Sequence, residues 1–253
     1  LPLVALTHEY TPKMRSIRRR NVSFIVNDHA EEGRTAARHF LDRRFTSFAY
    51  VSTADPTPWG RDRGRGFHEV LAAARFGCLD YPVPPPDARR DFTLELPQLT
   101  RWLSSLPHGT AVFVAHDLRA RQVLIAADES GLNVPGDLAL LGVDNDSVIC
   151  ETASPALPSI PTDTRGDGIL AAQLLEDMMA HGKRGRTVLT RHTTVVTRAS
   201  TDIDAVSDPF VAQALDWARH HLSAKLDAET LASKIHYSCQ LLQNRTRNAL
   251  GSS

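Results

Sequence analysis

Residues 110–145 read TAVFVAHDLRARQVLIAADESGLNVPGDLALLGVDN. Ala111 to Ala115 and Leu138 to Val143 are apolar runs too short for a typical helix and bounded by polar residues. Each therefore reads as a buried strand. Between them Gly131 closes a helix, and Pro135-Gly136-Asp137 leads into the second strand. Strand, helix, strand in this order predicts a βαβ unit with parallel strands.

The same alternation extends in both directions. Val22 to Val26 and Phe48 to Val51 read as further buried strands. Helical spacing links Phe67, Val70, Leu71 and Ala74, then Leu96, Leu99, Leu103 and Leu106, then Ile169, Ala172, Leu175 and Met179. The expected fold is α/β with parallel, doubly wound sheets, and Thr187 to Thr197 is read as extended segments ending the sheet. After Thr201 the pattern becomes all helical. Asp208-Pro209 starts a helix running to Leu222, Asp227 caps a short helix to Ile235, and Ser238 caps another to Leu250. A domain boundary is expected over Thr201 to Ser207.

The 253 residues suit one to two domains, and 42% hydrophobic with 23% charged residues is a globular composition. The formal net charge is zero, so any nucleic-acid contact must come from a local patch. Cys78, Cys150 and Cys239 are odd in number and lack metal-ligand spacing, which argues for reduced thiols in a cytoplasmic protein. Neither a membrane span nor a signal peptide is expected. The chain opens on an apolar strand-like run at Leu1 and stops just after a helical pattern, so both ends read as cut.

In open α/β sheets, ligands sit at the carboxyl ends of the strands. Asp28, Asp117 and Asp144 each follow a strand, and Trp59 and Arg63 come from the loop and first helical turn after the Phe48 strand. Carboxylates and a guanidinium fork accept from and donate to neighbouring hydroxyls, while a tryptophan face suits the C–H side of a sugar ring. The set argues for a neutral polyol or sugar rather than an anion. Each aspartate alone could equally cap the next helix or close a turn. The glycines of Gly60 to Gly66 lack dinucleotide-loop spacing, and Asp144-Asn145-Asp146 lacks the rest of a calcium loop. The basic run Lys13 to Arg20 reads as a solvated loop, and His220-His221 as a solvated pair. No cofactor or metal is called for, and no catalytic nucleophile signature appears.

The segment from Leu1 to about Ser200 resembles the ligand-binding core of the lactose/galactose repressor family, itself similar to periplasmic sugar-binding proteins. The matching motifs are Val26-Asn27-Asp28 with His39-Phe40, Arg63-Gly64-Arg65-Gly66-Phe67, Val114-Ala115-His116-Asp117, Val134-Pro135-Gly136-Asp137 and Leu141-Gly142-Val143-Asp144-Asn145. Pro155 to Ile160 and Arg198-Ala199-Ser200-Thr201 complete them. The tail from Asp208 resembles the first helix-turn-helix of the AraC transcription regulator family, on Leu231-Ala232, Ser238, Leu242, Gln243, Arg245 and Leu250-Gly251.

The resemblance implies a periplasmic-binding-protein-like sensor over 1–201. Segments 1–44 and 161–184 would form a first, incomplete subdomain, and 45–160 and 185–201 a second. The start of a DNA reader would occupy 208–253. It further implies a sugar site of Asp28, Trp59, Arg63, His116, Asp117 and Asp144, with a pentose, xylose first, as effector. Ser238, Gln240, Gln243 and Asn244 would meet promoter DNA, and the intact protein would act as a cytoplasmic homodimer away from membranes. His236 stands where the reader's turn usually has glycine, and Thr246 where a buried aromatic is usual. A solute-binding protein for sugar uptake is the alternative, and the helical tail argues against it; nothing supports an enzyme.

Overall fold

A computed structural model describes residues 1–7, 21–198, 227–235 and 237–250, with the isolated positions 210, 211, 214, 217 and 218. The Lys13 to Arg20 run, the Thr201 to Ser207 boundary, the Asp208-Pro209 helix start, His220-His221 and His236 lie outside the described residues.

A five-stranded parallel sheet forms the larger half. Its strands are β3 (Phe48–Val51), β4 (Leu79–Asp80), β5 (Thr110–Val114), β6 (Leu138–Asp144) and β7 (Ser159–Pro161), in the order β4-β3-β5-β6-β7. Side chains alternate across a strand. Phe48 and Tyr50, Ala111, Phe113 and Ala115, and Ala139, Leu141 and Val143 line one face. There they meet Ala36, Ala37 and Phe40 of α1 (His29–Asp42) and Phe67 and Leu71 of α2 (Pro58–Ala73). Ala49 and Val51, Val112 and Val114, and Leu138 and Leu140 line the other. These pack on Leu99 and Leu103 of α3 (Phe92–Leu103), on Val123 and Ala127 of α4 (Asp117–Glu129) and on Cys150 of α5 (Ser147–Thr152). Both faces are covered, which is why these strands read as continuous apolar runs. Each fully buried phenylalanine contributes about 1.5–3 kcal/mol, so Phe40, Phe48, Phe67 and Phe113 anchor this half.

The smaller half is a three-stranded parallel sheet, β1 (Leu3–Thr7), β2 (Val22–Asn27) and β8 (Thr187–Thr190), in the order β1-β2-β8. Helix α6 (Thr164–Ala180) packs against β1 and β2. Its buried positions are Leu174 and Met178. The apolar set read from the sequence sits partly off this face, with Ile169 53% and Met179 67% exposed.

Two subdomain boundaries need correction. Helix α1 falls within the segment 1–44 assigned to the first subdomain, yet its apolar face builds the core of the five-stranded half. The first crossover therefore lies at Asn27–Asp28. Strand β8, assigned to the second subdomain, instead hydrogen-bonds to β2. The chain returns to the larger half at Val195, which packs on its core, and Val196, which forms an antiparallel bridge to Ser159. Among the described residues, three crossovers thus join the halves.

At the far end, α7 (Ala228–Lys234) and α8 (Cys239–Leu250) pack through Ala232, Ile235 and Leu242, with Ala214. Asp227 caps α7 by accepting from Thr230 N at 2.7 Å, and Ser238 Oγ accepts from Leu241 N at 3.3 Å at the start of α8.

Candidate functional site

Helices α1 and α2 cross with backbones in contact. A Cβ on Gly33 would collide with the Arg63 carbonyl, and one on Gly66 with that of Ala30. Glycine at both positions allows the approach that no other residue would. It brings Glu32 of α1 against Arg63 of α2, both essentially buried, with Arg63 Nε donating to Glu32 Oε2 at 2.6 Å. Arg63 Nη1 donates to the Ala115 carbonyl at the end of β5, which fixes the second arm of the fork. The remaining nitrogen, Nη2, lies 3.7 Å from Asp144 Oδ1 at the end of β6. His29 Nδ1 is 3.0 Å from the same oxygen, Glu32 Oε2. Burial would raise the Glu32 carboxyl, but the hydrogen bond from His29 and the charge of Arg63 bring it down to about 2. Glu32 is thus an anion whose purpose in this geometry is to hold Arg63.

Asp144 is set differently. Its side chain is 46% exposed and its backbone φ is +106°, with Asn145 following at +53°. Such angles are costly for residues other than glycine and persist where neighbours over-determine them. Here the neighbours are visible. Asn145 N donates to Ser159 Oγ at 2.9 Å, Asp146 N donates to Asp117 Oδ2 at 2.8 Å, and Ser159 Oγ donates to Asp117 Oδ1 at 2.7 Å. Arg198, beyond the third crossover, donates to Asn145 Oδ1 at 2.9 Å and to the Leu157 carbonyl at 3.0 Å. Desolvation in its recess, with repulsion from Asp117 and Glu32, raises the Asp144 pKa to about 6 against the pull of Arg63.

His116 ends the β5 run and caps α4, its Nδ1 accepting from Arg119 N at 3.3 Å. Burial, aided by the charges of Arg63 and Arg119, lowers its pKa to about 4. The ring is neutral at pH 7, and because Nδ1 accepts, Nε2 carries the proton. Trp59 lies between these groups, its ring 4.8 Å from the Arg63 guanidinium carbon and 5.8 Å, edge-on, from the His116 ring.

Four of the six residues named for the sugar site, Trp59, Arg63, His116 and Asp144, line one recess of about 240 Å³. They offer guanidinium and imidazole donors, a carboxylate acceptor and an indole. That volume lies just below the roughly 300–1,000 Å³ of drug-sized pockets and suits a single small ring. The other two carboxylates are placed elsewhere. Asp117 is buried beneath the β6 turn, its oxygens committed to Ser159, Asp146 N and Cys150 Sγ. Asp28 caps α1 through Glu31 N and pairs with Arg191 at 3.2 Å and Arg34 at 3.6 Å, tying the first crossover to the third. Both perform the capping or turn-closing role that an aspartate after a strand often takes. Glu32, Ser159 and Arg198 were missed by sequence reasoning. The one local signal that could have found any of them is the His29-x-x-Glu32 spacing on α1, since their other partners lie far away in sequence.

Ser238, just before α8, and Gln240, Gln243 and Asn244 on it are all exposed, while Leu242 is buried against α7. Gln240, Gln243 and Asn244 share one helical face by their spacing. Thr246, in the slot expected to lose an aromatic, is half-buried; the neighbouring Arg245 guanidinium stacks 4.0 Å over the Phe210 ring, which also meets Tyr237. No helix among the described residues is long and apolar enough to cross a membrane.

Residues 37–201 match the periplasmic binding protein-like domain family. Over 230 residues the chain is 28% identical to the xylose operon regulatory protein of Haemophilus influenzae, covering 90% of this chain and 59% of the relative. The xylose operon regulatory protein of Escherichia coli K12 is 24% identical over 233 residues, 91% of this chain and 59% of the relative. The chain thus spans well under two thirds of either relative. Among solved structures, the xylose-binding transcription activator xylR superposes with a TM-score of 0.78 at 23% identity, over 100% of this chain and 66% of that one.

Proposed function

The chain belongs to the periplasmic binding protein-like domain family, and from that premise we propose that it is the sensor of a sugar-responsive transcription regulator, joined to the start of a DNA reader. The observation that carries this reading is the convergence of Trp59, Arg63, His116 and Asp144 on one recess at the carboxyl ends of the strands. The effector is a neutral pentose, xylose first, in keeping with the names of the relatives. Arg63 Nη2 and His116 Nε2–H donate to its hydroxyls, Asp144 accepts from them, and Trp59 packs on the ring. Asp28 and Asp117 act through position: the first braces the crossovers, and the second holds the strained turn that presents Asp144. Binding draws the two halves together about the three crossovers, and that shift in population alters how the reader engages promoter DNA. Gln240, Gln243 and Asn244 meet base edges, where their amides suit adenine, and Ser238 meets phosphate. The assembly is a cytoplasmic homodimer that binds its ligand without chemistry, and no membrane is involved.

Calorimetric titration of the full chain with xylose, arabinose and ribose tests this. Saturable binding of at least one pentose is expected, and Asp144→Ala is expected to remove it while far-ultraviolet circular dichroism stays unchanged. A folded chain that takes up none of the three would overturn the reading.

The raised Asp144 pKa makes a second prediction. A carboxylate accepts more strongly than a carboxylic acid, so affinity should fall as pH drops below about 6. The limit is about tenfold per pH unit if only the ionised form binds. Above pH 7 the affinity should be flat. His116, near 4, and Glu32, near 2, titrate below this window. Asp144→Asn should give weaker binding with no pH dependence between 5 and 7.

A further inference from the structure

We propose that His68, Cys78 and Asp80 form a binding site for a divalent transition-metal ion of the zinc type, on the flank of α2 away from the sugar recess. His68 is on the outer face of α2, and Cys78 and Asp80 are two residues apart on the extended segment at β4. Residues i and i+2 of an extended strand point the same way, so the thiol and the carboxylate both face the imidazole. One donor atom from each lies within 4.8 Å of the others, and His68 Nε2 is already 3.0 Å from Asp80 Oδ1.

A tetrahedral ion with bonds of about 2.0–2.3 Å holds its donors roughly 3.3–3.8 Å apart. The observed spread therefore needs the His–Asp pair to open by a few tenths of an ångström and the thiol to close by up to about 1 Å, within the reach of side-chain rotation. The donors are one imidazole nitrogen, one sulfur and one carboxylate oxygen. Calcium and magnesium prefer all-oxygen sets, whereas mixed nitrogen and sulfur donors select zinc and its borderline neighbours. Three protein ligands leave a fourth position open. His68 and Asp80 line a cavity of about 680 Å³, walled also by Tyr50, Arg65 and Tyr81, so the open position has a path to solvent. The His68 and Asp80 side chains are 38% and 57% exposed, which leaves the ion an entry route. The Tyr50 ring meets the His68 imidazole edge-on at 6.4 Å and steadies it. On binding, the metal–sulfur bond replaces the S–H bond and the metal–nitrogen bond replaces the N–H donated to Asp80. The thiol proton passes to solvent. In the neutral imidazole the single proton moves through solvent from Nε2 to Nδ1, which frees the Nε2 lone pair for the metal, and no change of oxidation state is required.

The test is a titration of the full chain with cobalt(II), under reducing conditions and in competition with zinc. One equivalent should bind and give a thiolate-to-metal charge-transfer band that stoichiometric zinc erases. Cys78→Ser should remove the band and weaken zinc binding at least about tenfold, while Cys150→Ser and Cys239→Ser should keep both. His68→Gln and Asp80→Asn, at half-exposed positions, give the same reading should Cys78→Ser fail to fold: each should weaken zinc binding. A band that survives Cys78→Ser, no band at all, or zinc affinity unchanged in His68→Gln and Asp80→Asn would overturn the proposal. Pentose binding has no part in these readouts, so this site and the sugar recess stand or fall separately.

Discussion

Arg63→Ala is expected to weaken pentose binding by at least about a hundredfold and to destabilise the fold by about 3–5 kcal/mol. The two effects have separate causes. The guanidinium offers Nη2 to the recess, and a charged hydrogen bond to a ligand contributes about 1.5–3 kcal/mol, or roughly tenfold to a hundred-and-fifty-fold in affinity; misplacement of Asp144, 3.7 Å away, adds to the loss. The stability effect comes from Glu32. Removing one partner of a buried pair leaves an uncompensated charge, at a cost of about 3–5 kcal/mol, and Glu32 already has one buried oxygen, Oε1, without a hydrogen-bond partner. Urea midpoints and calorimetry separate the two effects. Arg63→Lys keeps the charge beside Glu32 but not the fork, so it should recover more stability than affinity. An Arg63→Ala protein with wild-type urea midpoint and wild-type affinity would exclude both roles. The sign of the pH dependence follows from Glu32, whose folded pKa, about 2, lies below the ordinary 4.5. Its stabilisation is fully present above about 4.5 and lost as pH falls from there to about 2. The stability deficit of Arg63→Ala against the wild type should therefore be largest above about pH 4.5 and shrink as pH falls toward 2.

Arg119→Ala is the second large effect, with an expected loss of about 3–5 kcal/mol and little direct loss of sugar contact. The Arg119 and Glu95 side chains are about 2% and 1% exposed and form a two-bonded pair, Nη1 donating to Oε2 at 2.8 Å and Nη2 to Oε1. Arg119 also donates to Gln122 Oε1 at 2.8 Å and to the Ser52 carbonyl at 3.2 Å. Alanine here strands the Glu95 carboxylate under α4. Against a typical total stability of 5–15 kcal/mol this is a large fraction. Replacing both residues together with Met and Leu should cost far less than either single change, because desolvation of the pair nearly cancels its attraction. Urea unfolding of the two singles and the double measures the difference; equal midpoints for Arg119→Ala and the wild type would rule out a structural role for the pair.

The strands of the larger half were legible because both faces of a parallel sheet are covered, so Phe48 to Val51 and Ala111 to Ala115 carry an unbroken apolar signal. Strand β4 was not legible. Two exposed residues, Leu79 and Asp80, have no such signal and are strand only through pairing with β3. Helix α1 was legible neither as a helix nor as a member of the larger half: its His39-Phe40 pair entered only through the family resemblance, and no helical spacing was read over 29–42. Its affiliation depends on Gly33 and Gly66 meeting across a crossing that no local pattern records. Among the candidate ligands, Arg63 and Asp144 were named from their places after strands. Asp117 has the same sequence context as Asp144, and only its burial against Ser159 and Cys150 separates the two.

By itself, then, the sequence determined the α/β class, the strand ends on which a ligand site could be built and the character of the helical tail, because hydrophobic period and turn chemistry are local properties of the chain. The tertiary structure alone decided which carboxylates face the recess, where the chain crosses between its halves and that Glu32 holds Arg63. Those outcomes depend on contacts such as Glu32 with Arg63, Asp117 with Ser159 and Asp28 with Arg191, between residues 31, 42 and 163 positions apart. Side chains that far apart in sequence interact only after the sheets and helices have packed.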